Sequence, residues 1–209
     1  MSDGQWYQVN DDGTTTPLDG PPPGWRDSWG GTSPPEEAYG RVTDPERYRV
    51  LHTAARELLD RLTTAYAVDR EDGDAALDPP LTGRFTDPVE AVVRLTPRSP
   101  TAAPLTVAFT SFPGLTARFG EWVVQLLPIC GCDACDDDPA VLVEQLTRDV
   151  EALVAGRFTE RLTGSGDDLR IGYRLGDQEL DSLHTEPRQA ARAGGPAEHE
   201  WSPWPPAAR

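Results

Sequence analysis

The chain has 209 residues, among them 21 prolines, 19 glycines and 19 arginines, and it contains no lysine. Without lysine it cannot form a lysine Schiff base or build a phosphate-binding loop of the kind that ends in Lys-Ser or Lys-Thr. Its 35 acidic residues outnumber the arginines and give a formal net charge of -16. A field of this sign repels phosphate backbones, and the sequence has no basic stripe to override it, so we expect no nucleic-acid partner.

The sequence also lacks the signals of membrane insertion and secretion. Its longest uncharged runs are too short to span a bilayer, and residues 1–4 do not resemble the basic start of a signal peptide. Its three cysteines fall within six residues, and an odd, clustered set is atypical of a disulfide framework. We therefore expect no membrane contact and a cytoplasmic location.

Two Pro-rich segments, 1–40 and 177–209, flank a central region, 41–176, that we predict to be a single α+β domain. Five of the six tryptophans lie in these tails: Trp6, Trp25, Trp29, Trp201 and Trp204. Chains that stay disordered are poor in aromatic residues, and a tryptophan side chain buries a large area. The tails therefore either pack on the domain as extended segments or dock on a protein partner through tryptophan and polyproline contacts.

The first predicted helix begins at a Thr-x-x-Glu capping box, Thr43 to Glu46, with Pro45 in the first turn. It is expected to continue to about residue 68, since apolar residues recur at helical spacing. These residues are Tyr48, Leu51, Ala55, Leu58, Leu59, Leu62 and Tyr66. The acidic segment 69–80 ends in two prolines and is predicted to be a loop.

Strand periodicity dominates the next part of the chain. Alternating apolar residues predict strands over 89–95, 105–112, 115–119 and 122–127. Pro113 and Gly114 predict a type II turn, in which glycine takes the positive φ. Gly120 interrupts the alternation and predicts a bulge or a second turn.

A second amphipathic helix is predicted to begin at the N-cap residue Asp138. Its apolar stripe consists of Leu142, Leu146, Val150, Leu153, Val154 and Phe158. A last strand is predicted over 169–175. This order of elements indicates an α+β fold, with an antiparallel sheet of four to five strands and two amphipathic helices on one face.

The cysteines Cys130, Cys132 and Cys135 form the one cluster with evident chemistry. The spacing of Cys132 and Cys135 allows two thiolates to chelate one metal ion, and Gly131 loosens the turn so that Cys130 can join. A tetrahedral zinc ion needs a fourth ligand. The candidates are His52, His184, His199, Asp133, Asp136 or a cysteine of a second subunit. We predict a zinc site of the three cysteines with His52, although the second ligand pair of a strong zinc signature is absent.

Two other interpretations of the same loop stay open. The cysteines could be inert residues packed at a strand end, or they could serve a thiol-dependent enzyme or redox sensor with His52 as base. A reactive thiol needs a stabilised thiolate, whereas acidic residues surround Cys135 and disfavour one. The sequence contains no recognisable catalytic triad or metalloprotease motif, so we predict no catalytic residue and favour a non-enzymatic binding or regulatory module.

The cysteine loop and its flanks resemble an uncharacterised actinobacterial family, a domain of unknown function found in small cytosolic proteins. The matching stretches are 39–48, 104–114, 128–136 and 201–205. The resemblance implies that a set of polar and aromatic residues belongs to the family pattern. This set is Cys130, Cys132, Cys135, His52, Arg41, Arg47, Trp201 and Trp204. The resemblance implies no activity.

Overall fold

The computed structural model describes residues 6–9, 15–18, 33–73, 88–164, 168–184 and 197–208. Within these ranges, two α-helices accompany a five-stranded and a four-stranded antiparallel sheet, so the predicted α+β class is confirmed. Strands β1 (Trp6–Val9) and β2 (Thr15–Leu18) pair as a separate antiparallel ribbon. Neither of the two helices in the described ranges has the length and apolar content needed to cross a membrane.

The first helix begins later than its sequence suggests. A 3₁₀ turn spans Pro45–Tyr48, and helix α1 then spans Arg49–Ala65. The predicted capping box is wrong, because the Thr43 hydroxyl donates a 2.6 Å hydrogen bond to Asp133, 90 residues away, instead of capping the helix. The helix also ends before residue 68, since the backbone at Tyr66 is already extended.

The five-stranded sheet has the order β3-β4-β5-β6-β7. Its strands are β3 (Val68–Gly73), β4 (Val89–Pro97), β5 (Leu105–Thr110), β6 (Leu115–Phe119) and β7 (Val123–Leu127). The four predicted strands are confirmed as β4 to β7, but the loop predicted at 69–80 is wrong over 69–73. Strand β3 carries mostly charged residues because it lies at an edge, where one side faces solvent. Residues 74–80 lie outside the described ranges.

The two turns of this sheet use glycine for different reasons. The prediction of a type II turn at Pro113 and Gly114 is wrong, since Gly114 does not have a positive φ. Gly114 is needed for close approach instead, because an added Cβ would lie 2.9 Å from the Leu127 carbonyl oxygen. At Gly120 a φ of 63° confirms the second turn. An added Cβ there would collide with the Glu160 carboxylate.

Helix α2 spans Pro139–Val154, and its predicted N-cap is confirmed by a 2.8 Å hydrogen bond from the Ala140 amide to Asp138. The prediction that Phe158 extends the apolar stripe of this helix is wrong. The chain turns at Gly156, with a φ of 69°, and Phe158 is the first residue of a strand. It is nevertheless fully buried in the core.

The second sheet was not predicted as a separate layer. It has the order β10-β9-β8-β11. Its strands are β8 (Phe158–Thr163), β9 (Arg170–Leu175), β10 (Gln178–His184) and β11 (Ala197–Glu200). The predicted last strand is confirmed as β9. Strands β9 and β10 pair across the predicted domain boundary at residue 176, and the division into tails and domain stays a prediction.

One hydrophobic core joins both helices and both sheets, and Trp201 and Trp204 belong to it. The Trp204 indole donates a 2.8 Å hydrogen bond to the Ala103 carbonyl oxygen, and its ring meets Tyr66 edge-on. The segment that follows β11 therefore contributes two anchors to the core. Trp25 and Trp29 lie outside the described residues.

Candidate metal centre

The three cysteines lie in the loop between β7 and α2, and their sulfur atoms all lie within 4.8 Å of one another. The Cys130 sulfur is 2.8 Å from that of Cys135 and 3.3 Å from that of Cys132. All three are free thiols. Zinc bonded tetrahedrally to sulfur at about 2.3 Å separates its ligands by about 3.8 Å. The cluster is close enough to bind a metal ion after the closest pair opens by about 1 Å.

The backbone of the loop brings the sulfurs together. The Cys132 carbonyl oxygen accepts hydrogen bonds from the amides of Cys135 and Asp136, both at 3.1 Å, which closes a tight turn between Cys132 and Cys135. Gly131 takes a φ of 65°, and an added Cβ there would lie 2.5 Å from the Phe112 ring. Glycine is thus required both for the backbone angle and for the space.

Asp133 ties the loop to the segment that precedes α1. Its carboxylate accepts three hydrogen bonds, from the Arg41 guanidinium at 2.6 Å and from the Thr43 hydroxyl and amide at 2.6 and 2.7 Å. The Thr43 hydroxyl and the Arg41 guanidinium lower the pKa of Asp133 to about 2. Backbone bonds from Asp133 to Arg41 and from Ala134 to Ala38 add a second connection. The loop is therefore held in place by a segment 90 residues earlier in the chain.

Asp136 makes a second tie. Its carboxylate accepts a 2.7 Å hydrogen bond from Arg47, which also donates to the Tyr48 hydroxyl. Burial raises the pKa of Tyr48 to about 12, so this hydroxyl stays neutral beside the cation. Two of the acidic residues around the cysteines are thus paired with arginines. This pairing reduces the repulsion that an anionic thiolate cluster would otherwise meet.

The thiols differ in their acidity. Burial raises the pKa of Cys130, and burial together with contacts from the neighbouring thiols raises the pKa of Cys135 well above its usual range. At Cys132 burial acts in the same direction, but hydrogen bonds from the Cys135 amide and the Cys130 thiol outweigh it and lower the pKa. A metal ion that binds all three sulfurs must therefore displace protons. Three soft thiolates favour zinc or Cu(I) over hard cations such as Mg²⁺.

The structure does not bring His52 into the cluster. Its Nε2 lies 2.9 Å from the Gly114 carbonyl oxygen, its ring meets Phe109 edge-on, and burial lowers its pKa. The group of candidate ligand atoms within 4.8 Å contains the three cysteines and not His52, within the part of the chain that the structure describes. The His199 ring contacts the rings of Trp122 and Trp201, and the side chain of His184 is outside the described set.

Sequence reasoning missed the residues that support the loop. The sequence singles out Arg41 and Arg47 only as part of the family pattern, and it predicts a helix cap for Thr43. Their partners Asp133 and Asp136 were candidate ligands, yet the structure engages both carboxylates with arginines. Pairs separated by about 90 residues leave no local pattern, so nothing in the sequence could have found them.

Glu160 is a second buried site that the sequence did not reveal. It is 1% exposed. One carboxylate oxygen accepts from the Glu121 amide at 2.9 Å and the Trp201 indole at 3.0 Å, and the other accepts from the Trp122 amide at 2.9 Å. Burial raises its pKa to about 7 despite these three donors. Glu160 thereby joins the turn before β7 to the segment after β11.

In the comparison with family models, residues 12–208 match the model described as "Family of unknown function (DUF6226)". The comparison with curated proteins gives no match, and the comparison with solved structures gives none either.

Proposed function

Because the chain belongs to a family of unknown function, we propose from its geometry that it is a non-enzymatic binding or regulatory module with a structural zinc site. The ligands are Cys130, Cys132 and Cys135. The observation that carries the proposal is the convergence of three free thiols within 4.8 Å on a loop that two carboxylates fix to a distant segment. The free thiols also support a reducing compartment, the cytoplasm, as the location of the protein.

The surroundings of the cluster favour a structural role for the ion. Asp133 and Asp136 hold the loop through Arg41, Thr43 and Arg47, so the sulfurs are positioned before an ion arrives. Such supporting contacts raise metal affinity because the ligands need little reorganisation on binding. An ion bonded to all three sulfurs would in turn stabilise the loop against unfolding, since the unfolded chain does not present the same site.

A redox role is the second candidate, and one observation favours it. The sulfurs of Cys130 and Cys135 lie 2.8 Å apart, and Cys135 is exposed to oxidants. Against it, both thiols have raised pKa values and so provide little thiolate near neutral pH. Alkylation rates measured against pH distinguish the two roles. An apparent pKa at or above the free-cysteine value of about 8.5 contradicts a reactive thiol.

The direct test of the zinc site is a titration of the reduced, metal-free full chain with Zn²⁺ against a chromogenic chelator, with melting temperature followed in parallel. We expect one zinc ion per chain and a higher melting temperature when zinc is bound. Cys132→Ser should lower the zinc content below one ion per chain, whereas His52→Asn should keep the wild-type stoichiometry, because His52 hydrogen-bonds Gly114. Absence of zinc binding by the wild-type chain, with an unchanged melting temperature, would refute the proposal.

A further inference from the structure

The cysteine cluster supplies three ligands, and tetrahedral zinc takes four. The nearby carboxylates are engaged: Asp133 accepts from Arg41 and Thr43, and Asp136 accepts from Arg47. Among the described residues, no other histidine or carboxylate belongs to the group of ligand atoms within 4.8 Å. The described residues therefore leave the fourth position of a tetrahedral ion open.

The segments around the cluster carry exposed apolar side chains among their charged ones. Five large apolar side chains are exposed in the described part of the chain, and all lie on the segments that meet at the loop. They are Tyr39, Val42, Val50, Ile129 and Val141. Ile129 adjoins Cys130 and is 65% exposed, while Val141 lies in the first turn of α2. Grouped apolar exposure of this kind marks an interaction site.

Charge favours this surface for contact between identical chains. Two copies that each carry a net charge of -16 repel each other. Beside the cluster, however, the carboxylates of Asp133 and Asp136 are paired with Arg41 and Arg47. Pairing with arginine reduces the repulsion that these two carboxylates contribute between copies, which favours contact at the cluster.

The thiolates of two chains are enough to complete the coordination of two zinc ions. Two copies bring six thiolates, and two zinc ions offer eight coordination positions. The six sulfurs fill all eight positions when one thiolate from each chain bridges both ions. Cys135 is the exposed member of the three and so the one that can reach across an interface.

We propose that a second copy of this chain completes the site, and that the dimer holds two zinc ions between its two cysteine loops with Cys135 of each chain as the bridging ligand. This inference rests on the proposed zinc site. It makes the metal centre part of an interface, so that zinc controls the association of the chain with itself.

Native mass spectrometry and light scattering of the full chain test the proposal, with zinc and after removal of zinc by a chelator. We expect a dimer with two zinc ions in the first case and a monomer in the second. Cys135→Ser leaves four thiolates in a dimer, so its zinc content should fall from two ions to one. Monomers with one zinc ion each would overturn the shared site but leave the zinc site standing. Chains that bind no zinc would overturn both.

A matched pair of surface variants tests the position of the interface. Ile129→Asp places a charge beside Cys130, whereas Thr163→Asp places the same charge on an exposed residue of β8 in the other sheet. We expect Ile129→Asp to raise the dimer dissociation constant at least about tenfold and Thr163→Asp to leave it unchanged. Equal dimer affinity of Ile129→Asp and the wild type would place the contact elsewhere and overturn the proposed surface.

Discussion

Two carboxylates hold distant segments of this chain together, and they do so in opposite electrostatic surroundings. Asp133 lies at the surface beside an arginine, and Glu160 lies in the core with only neutral N–H donors. Each accepts three hydrogen bonds, yet the pKa falls to about 2 at Asp133 and rises to about 7 at Glu160. The comparison shows that burial without a cation outweighs three neutral donors. The two carboxylates also differ in what they stabilise: Asp133 holds the cysteine loop in place, whereas Glu160 links segments of the core.

The largest effect is expected from Glu160→Ala. The substitution leaves the Glu121 amide, the Trp122 amide and the Trp201 indole without an acceptor in the core, and it opens a cavity. We expect a loss of about 4 kcal/mol in the free energy of unfolding, measured by urea denaturation. A loss below about 1 kcal/mol would mean that water or another group satisfies these donors, and the contrast with Asp133 would fail.

A slightly smaller loss in the free energy of unfolding is expected when the pH is raised from about 4 to about 8. The pKa of Glu160 is about 7 in the folded chain against an ordinary value of 4.5, so the folded state holds its proton more tightly. This contribution to stability is fully present below pH 4.5 and is lost as pH rises towards 7. It amounts to about 3 kcal/mol.

The measurement is the free energy of unfolding between pH 4 and pH 8, as the difference between wild type and Glu160→Gln. Glu121 and His199 face this site in both proteins, so the subtraction isolates the contribution of Glu160. The account predicts that the wild type loses stability relative to the variant over this interval. A constant difference would show that Glu160 does not change protonation in the range.

The smallest effect is expected from Asp133→Asn. One carboxylate oxygen accepts from Arg41 and from the Thr43 hydroxyl, and the other accepts from the Thr43 amide. The asparagine amide has a single acceptor oxygen and cannot replace both atoms, so the loop is held less firmly. We expect zinc affinity to fall roughly tenfold, measured by competition with a chelator. Asp60→Asn is the control, because Asp60 pairs with Arg70 in an exposed ion pair. Equal losses in both variants would mean that net charge, and not the tie to Arg41, determines affinity.

The features that the sequence predicted correctly are local ones. Asp138 caps the helix that starts at the next residue, and the alternation in β4 to β7 reflects a sheet with one face in the core. The convergence of the cysteines was also foreseeable, because three of them within six residues cannot lie far apart. Periodicity and short spacing carry this information without any knowledge of the rest of the fold.

The features that the sequence failed to predict depend on contacts between distant residues. Phe158 fits the helical spacing of α2 and is equally buried as a strand residue, so its pattern could not distinguish the two. Strand β3 is charged because of its edge position, which only the sheet order reveals. Thr43 leaves its capping box for Asp133. In each case a tertiary partner decided between local alternatives.

X-ray absorption at the zinc edge tests the central claim most directly, because it reports which atoms surround the ion in the zinc-loaded full chain. The account predicts a nearest-neighbour shell of sulfur at about 2.3 Å. That shell should be lost in the variant in which Cys130, Cys132 and Cys135 are all replaced by serine. A shell of nitrogen or oxygen alone, at about 2.0–2.1 Å, would contradict a zinc site made by Cys130, Cys132 and Cys135.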